Sequence, residues 1–192
     1  MKFKFICNVV LLLSTRIAIG LAGEGSPCSE PAARAFDFWI GNWDISQQIL
    51  RQDGTWLVLP AHTSVTATLD GCALIEHWSG QVLFFWDGMT KPDTMKGLNV
   101  RAYDPAKSSW YIYWMDTRST RFGSPYVGSF KDGRGEFFRE WESPDGKRKG
   151  RITFVDVTTD SVNWELAVSS DDGTTWQTLW KMRMNRAQKG EY

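Results

Sequence analysis

Histidine is nearly missing from this chain: His62 and His77 are the only two. That is too few for a histidine-rich metal site. Also missing are a Gly-x-Ser-x-Gly elbow, a phosphate-binding glycine loop and a Cys-x-x-Cys pair. Their absence removes the usual sequence signatures of serine hydrolases, nucleotide enzymes and thiol oxidoreductases. Gly97-Leu98-Asn99 is too short to be a dinucleotide fingerprint. Lysine and arginine nowhere cluster into a nucleic-acid footprint, and the formal net charge of the 192 residues is zero. No apolar run reaches the roughly 20 residues a membrane-spanning helix needs. The stretch from Ile6 to Leu13 is interrupted by Ser14-Thr15-Arg16. Helical periodicity is missing too, apart from a short turn around Pro31–Phe38.

The N-terminal stretch has instead the physics of a secretory signal peptide. Met1-Lys2-Phe3-Lys4 is basic, an apolar segment follows, and Gly20 and Ala22 supply small residues at the minus three and minus one positions of a cleavage site. The expected division is a signal peptide over 1–22, a polar leader over 23–35, a folded domain over 36–186 and a disordered tail over 187–192. Cleavage removes three basic residues and no acidic one from 22 of each, leaving a net charge of minus three. The product would be secreted or periplasmic, with no integral membrane segment and no nucleic-acid partner. About 170 residues remain, enough for one domain with a core of its own. Of the three cysteines, Cys7 leaves with the signal. Cys28 and Cys72 then point to a disulfide tying the leader to the domain wall. The alternative is two unrelated thiols, with Cys72 a small core residue.

What the chain has in quantity is aromatic residues and turns. Eleven tryptophans stand beside eleven phenylalanines, and the densest group is Phe36-Asp37-Phe38-Trp39-Ile40-Gly41-Asn42-Trp43. It reads as a bulky apolar plug leading into an alternating strand. Turn signals recur at Asp53-Gly54, Asp70-Gly71, Asp87-Gly88, Asp104-Pro105, Asp132-Gly133, Asp145-Gly146, Thr159-Asp160 and Asp172-Gly173. Asp-Gly is a strong hairpin signal because glycine accepts the positive φ of primed turns. Between these turns lie strand-forming runs near 42–50, 55–68, 72–82, 96–104, 109–117, 121–130, 134–142, 147–157, 161–169 and 174–184. The fold class is therefore all-β, an antiparallel up-and-down barrel of about ten strands with a short N-terminal helix or plug. Closure hides the edges of so long a meander; a two-sheet sandwich is the alternative. The irregular segment Phe84–Lys96 would lie at a barrel mouth, where it could act as a lid.

Alternation defines strand faces but not which face is buried, because a one-residue slip exchanges them. Leu98, Val100 and Ala102 oppose Asn99, Arg101 and Tyr103. Val162, Trp164, Leu166 and Val168 oppose Asn163 and Glu165. Trp110, Ile112 and Trp114 oppose the equally apolar Tyr111, Tyr113 and Met115.

Gly41-Asn42-Trp43 resembles the Gly-x-Trp signature of lipocalin-like barrels. The resemblance implies that Trp43 closes the barrel floor against a basic residue of the last strand, Lys181 or Arg183, by cation–π contact. More of the chain resembles an uncharacterised family of small secreted bacterial domains. The matching motifs are the F-D-F-W-x-G-x-W opening (Phe36–Trp43), Gly71-Cys72-Ala73-Leu74-Ile75-Glu76-His77-Trp78, Tyr103-Asp104-Pro105 with Trp110, and Asp172-Gly173-Thr174-Thr175-Trp176. Members often carry a histidine in the strand beginning at Trp110; here Tyr111-Ile112-Tyr113 stands instead. The family implies a barrel fold and no particular activity. Ser169–Trp176 also fits the Asp-box pattern of sialidases, which is a turn rather than an active site, with Asp171 capping backbone N–H groups.

Among single residues Glu76 stands out. It shares a strand face with Cys72, Leu74 and Trp78, so its carboxylate either pairs with an arginine of a neighbouring strand or serves as a polar anchor in a cavity. His77 points to the other face and cannot form an acid–base pair with it. Small-molecule barrels often hold an acidic head group with an arginine and a tyrosine among apolar walls. Arg101, Arg139 and Arg183 are the basic candidates, with Tyr103, Tyr113 and Tyr126 beside them. Each arginine has the alternative of lying along the outer wall or pairing across strands with Glu136, Glu140 or Glu165.

The leading expectation is a barrel that binds one small, largely apolar molecule. Its ligand-binding residues would be Glu76, Trp78, Arg101, Tyr103, Trp110, Trp114, Arg139 and Trp141, with Trp43, Arg183, Cys28 and Cys72 in structural roles. No metal, cofactor or catalytic residue is expected; a haem would need His77 as its axial ligand. The competing readings are an isomerase or hydrolase using Glu76 or Asp116, and an interaction module with a filled barrel and an exposed aromatic patch.

Overall fold

Asp132 and Gly133 both take positive φ, 50° and 77°, and turn β6 (Tyr126–Lys131) directly into β7 (Arg134–Ser143). The same logic joins the other strands in a computed structural model that describes residues 28–188. The expected signal peptide, the first residues of the expected leader and the end of the expected tail lie outside the described residues. The remaining strands are β1 (Gly41–Leu50), β2 (Trp56–Thr68), β3 (Ala73–Val82), β4 (Asp93–Asp104), β5 (Ser109–Asp116), β8 (Gly146–Val155), β9 (Ser161–Ser169) and β10 (Gln177–Arg186). Each pairs antiparallel with its chain neighbours, and β1 pairs with β10, so the up-and-down barrel is closed.

Three strand starts differ from the sequence reading by three residues or more. Asp93 pairs with Val82, so β4 begins inside the expected loop. β6 begins only at Tyr126, because Pro125 brings no N–H to a ladder. β5 consequently meets β6 only through Trp110, Tyr111 and Ile112, and the segment 117–125 spans the part of the wall beyond. β10 begins at Gln177, because the hairpin before it is held by its own side chains. Asp171 accepts hydrogen bonds from Ser169 Oγ at 2.7 Å, Thr175 N at 2.9 Å and Thr175 Oγ1 at 2.6 Å.

Those donors, the Ser169 hydroxyl first, hold the Asp171 carboxyl at about 2, below its ordinary 3.8. A group depressed on folding contributes stability above its unfolded value and loses it as pH falls through the folded one. The hairpin should therefore loosen between about pH 4 and pH 2. Trp176, whose Nε1 donates to Gly173 O, is the reporter. Its indole N–H resonance should titrate in that window in the wild type and stay flat in Asp171→Asn. A resonance that moves equally in both would refute the assignment.

The leader closes one end of the barrel. Two 3-10 turns, Pro31–Arg34 and Asp37–Trp39, carry Phe36 and Trp39 inward until both are essentially unexposed. Phe36 meets Trp110, Phe130 and Phe154 edge-on at 5.0–5.3 Å, and burying such a ring contributes about 1.5–3 kcal/mol. Trp39 stacks on Trp43 at 5.5 Å, whose Nε1 donates to Trp39 O at 2.8 Å. The Cys28–Cys72 disulfide fastens the leader at Cys28 to the turn before β3.

The basic partner of Trp43 is Arg186, not Arg183 or Lys181. The β1–β10 register sets Trp43 opposite Arg186, and the guanidinium lies 4.1 Å from the indole. It also donates to Phe38 O and Ile40 O, each at 2.8 Å. Arg183 is three residues away, hence on the other strand face, and is exposed. Lys181 shares that outer face and lies over Trp56 at 4.6 Å.

Candidate functional site

Above the leader floor the barrel encloses a cavity of about 220 Å3. Trp39 and Phe154 line its floor end. Glu76, Asn99, Arg101, Ile112, Tyr126 and Arg139 line the wall from β3 to β7, and Trp164, Leu166, Trp180, Met182 and Met184 the wall from β9 to β10. Phe84 and Trp86, with Trp114 and Asp116, border it at the end away from the leader. Phe84 is buried and packs on Trp86 and Trp180, both at 4.9 Å. The segment before β4 thus contributes rings to the cavity wall.

The polar face of β4 is the inward one. Leu98 and Val100 point out, while Asn99 and Arg101, 7% and 3% exposed, point in. Arg101 Nη1 donates to Glu76 Oε2 at 2.7 Å, and Thr63 Oγ1 donates to Glu76 Oε1 at 2.8 Å. Both carboxylate oxygens are therefore engaged. The sequence alternatives for Glu76 meet in one arrangement: it pairs with an arginine of the next strand, and it lines the cavity. The Arg101 guanidinium also sits 5.1 Å from the rings of Phe36 and Trp39, which ties the ion pair to the floor.

Arg139 is placed differently. Its guanidinium lies over the rings of Tyr126 at 4.5 Å and Trp141 at 4.9 Å. Gly150, its partner across β7–β8, makes that arrangement possible. A Cβ at Gly150 would come within 2.6 Å of Tyr126 Oη and 3.0 Å of Trp141 Cζ3. Burial pushes the Tyr126 hydroxyl pKa up, although the neighbouring Arg139 pulls it the other way. The phenol therefore stays protonated at neutral pH.

Asp116 borders the same end. Burial acts to raise its pKa, but the N–H groups of Ser119, Trp114 and Arg118 outweigh it and hold the carboxyl below its ordinary value. Trp114 Nε1 donates to Oδ2 at 2.9 Å, and the backbone N–H groups of Arg118 and Ser119 to Oδ1 at 2.8 and 2.9 Å. Gly97 supports this edge, because a Cβ there would overlap the Trp114 ring.

Of the eight sequence candidates, the structure brings Glu76, Trp78, Arg101, Trp114 and Arg139 to the cavity. Tyr103 and Trp110 face inward but hold the leader: Tyr103 Oη donates to Glu30 Oε1 at 2.7 Å and Trp110 Nε1 to Ala32 O at 2.9 Å. Trp141 backs Arg139 and is not part of the lining. Tyr113 points out and stacks on Tyr111 at 6.5 Å. His77 also points out and is exposed, so it cannot be an axial ligand for an interior haem.

Sequence reasoning did not single out Asn99 or Trp39 as lining residues. The signal for Asn99 was available in β4, where a strand carrying its bulkiest aliphatics on one face places a polar row on the other. Nothing local marked Trp39, which reaches the cavity only because the leader folds into the barrel.

No protein-family model and no curated protein matches the sequence. Solved structures do match its shape. An S-type phycobiliprotein lyase, CPES from Guillardia theta, shares 12% identity over 85% of this chain and 97% of its own, with a TM-score of 0.52. Rv2717c from M. tuberculosis shares 14% identity over 83% of this chain and 99% of its own, with a TM-score of 0.51. At such identities the likeness speaks for fold alone, and it fits a closed, lipocalin-like barrel.

Proposed function

We propose that this chain is an exported carrier barrel that holds one small, largely apolar molecule in its cavity. The observation that carries this reading is the ring-lined space of about 220 Å3 inside a closed barrel. At about 30 Å3 of liquid volume per water, that is room for about seven waters. An engineered apolar cavity of about 150 Å3 in another protein accepts benzene, so the space here suits one substituted ring or a compact bicycle. The disulfide supports export, because such bonds persist in oxidising compartments. An enzyme reading finds no free carboxylate oxygen on the described lining, since both oxygens of Glu76 and both of Asp116 are engaged by donors.

Thermal unfolding in the presence of indole tests the reading. A ligand that binds only the folded state raises the midpoint as its concentration exceeds Kd. The wild type should show that rise. Leu166→Trp, which fills the cavity from β9 at an overpacking cost of about 1–3 kcal/mol, should start lower and show none. A midpoint independent of indole in the wild type would sink the proposal, as would an equal rise in Leu166→Trp.

A further inference from the structure

We infer that the molecule this cavity prefers is a planar monoanion, an aromatic ring bearing a carboxylate, with the carboxylate drawn to Arg139. The inference rests on the carrier reading and adds the chemical class of its cargo.

Charge compensation inside the barrel is uneven. Arg101 has Glu76 at 2.7 Å, whereas among the described residues no carboxylate lies within ion-pair distance of Arg139. Asp116, the other carboxylate on the lining, has its oxygens occupied by N–H donors. Arg139 is thus the cation at this site that still lacks an anion.

The unpartnered hydrogen-bonding groups lean the same way. Among the described lining residues, Trp39 Nε1, Trp78 Nε1, Arg101 Nε and Arg139 Nε are buried donors without a partner, against one acceptor, Asn99 Oδ1. A buried donor left unpaired forfeits its solvation without a replacement partner. A guest that brings acceptors relieves some of that cost, and one that brings donors does not.

Arg139 is also held ready. Its guanidinium is packed against two rings, and those rings have room where they stand only because residue 150 has no Cβ. A side chain ordered before binding loses little entropy on binding. Guanidinium and carboxylate are both planar and match in a two-point fork. The surrounding rings favour a flat body behind the carboxylate.

Isothermal titration with benzoate, its neutral isostere benzamide, and indole tests this. Benzoate should bind the wild type at least about tenfold more tightly than benzamide, the factor that one charge-assisted hydrogen bond carries. Arg139→Gln should remove that preference, and a cooperative thermal unfolding transition shows that the variant is folded. Gly150→Ala, which displaces Tyr126 and Trp141 but leaves the guanidinium, should weaken benzoate more than it weakens indole. Benzoate no tighter than benzamide, or a preference that survives Arg139→Gln, overturns the anion inference and leaves a carrier of neutral rings. Failure of all three compounds to bind the wild type overturns the carrier reading with it.

Discussion

Replacing Glu76 with glutamine is expected to cost the fold about 3–5 kcal/mol. The carboxylate is 3% exposed and faces a guanidinium that is equally buried. Removing its charge leaves Arg101 inside the barrel, among the rings of Phe36, Trp39 and Phe154, with no anion to offset its desolvation. Thr63 loses less, since its hydroxyl also reaches His77 O at 3.2 Å. For a domain of this size the loss corresponds to a fall of roughly 6–20 °C in unfolding midpoint. The double replacement Glu76→Leu with Arg101→Leu removes both charges and should recover most of the stability, because a buried pair is costly to break and cheap to replace. Calorimetry of the three proteins decides the matter. A double variant as unstable as Glu76→Gln would mean that the pair is net stabilising relative to apolar side chains. A Glu76→Gln protein of wild-type stability would mean that Arg101 finds water or another acceptor.

Opening the Cys28–Cys72 disulfide should be of similar size and different in kind. The bond spans 44 residues of sequence, for which loop-closure entropy gives about 4 kcal/mol. Its loss also frees the leader at Cys28, and the remaining anchors are Tyr103 with Glu30, Trp110 with Ala32, and the clamp of Arg186 on Phe38 and Ile40. The Cys28→Ser, Cys72→Ser protein should therefore unfold at lower denaturant and be cut by protease within the leader before the strands are attacked. Denaturant titration and timed proteolysis would show both effects. An unchanged midpoint, or cleavage that begins in the barrel, would place the stability elsewhere.

The two variants also separate floor from wall. Glu76 and Arg101 join β3 to β4, while the disulfide joins the leader to the turn before β3. Residues far apart with no shared partners add in their effects, and coupled ones do not. Arg101 touches both systems, through Glu76 and through the rings of Phe36 and Trp39, so combining Glu76→Gln with the cysteine variant should give a loss that departs from additivity.

Much of the architecture could be read along the chain. Asp-Gly pairs and period-two runs between them marked ten strands, because a hairpin is a local object. Its turn needs a residue that accepts positive φ, and its strands need alternation over a few residues. The Phe36–Trp43 aromatics likewise announced a plug. Where local signals competed, boundaries slipped: Pro125 delayed β6, and the side chains around Asp171 kept the residues before Gln177 in a turn.

The interior could not be read in the same way. Alternation offers every strand two faces, and only closure of the barrel chooses between them. On β4 it turned Asn99 and Arg101 inward and left Leu98 and Val100 outside. On β10 it set Arg186 rather than Arg183 against Trp43, because pairing with β1 settled a register the strand itself leaves open. Tyr103 and Trp110 share the inward face with Arg101 and Ile112, yet the leader takes them up. The sequence by itself determined strands, turns and the plug and pointed to the cysteine pair, all written in neighbouring residues or in composition. Which arginine is neutralised, which is left facing the cavity, and which rings line it were decided by tertiary structure, because they depend on residues brought together across strands whose register only the closed barrel defines.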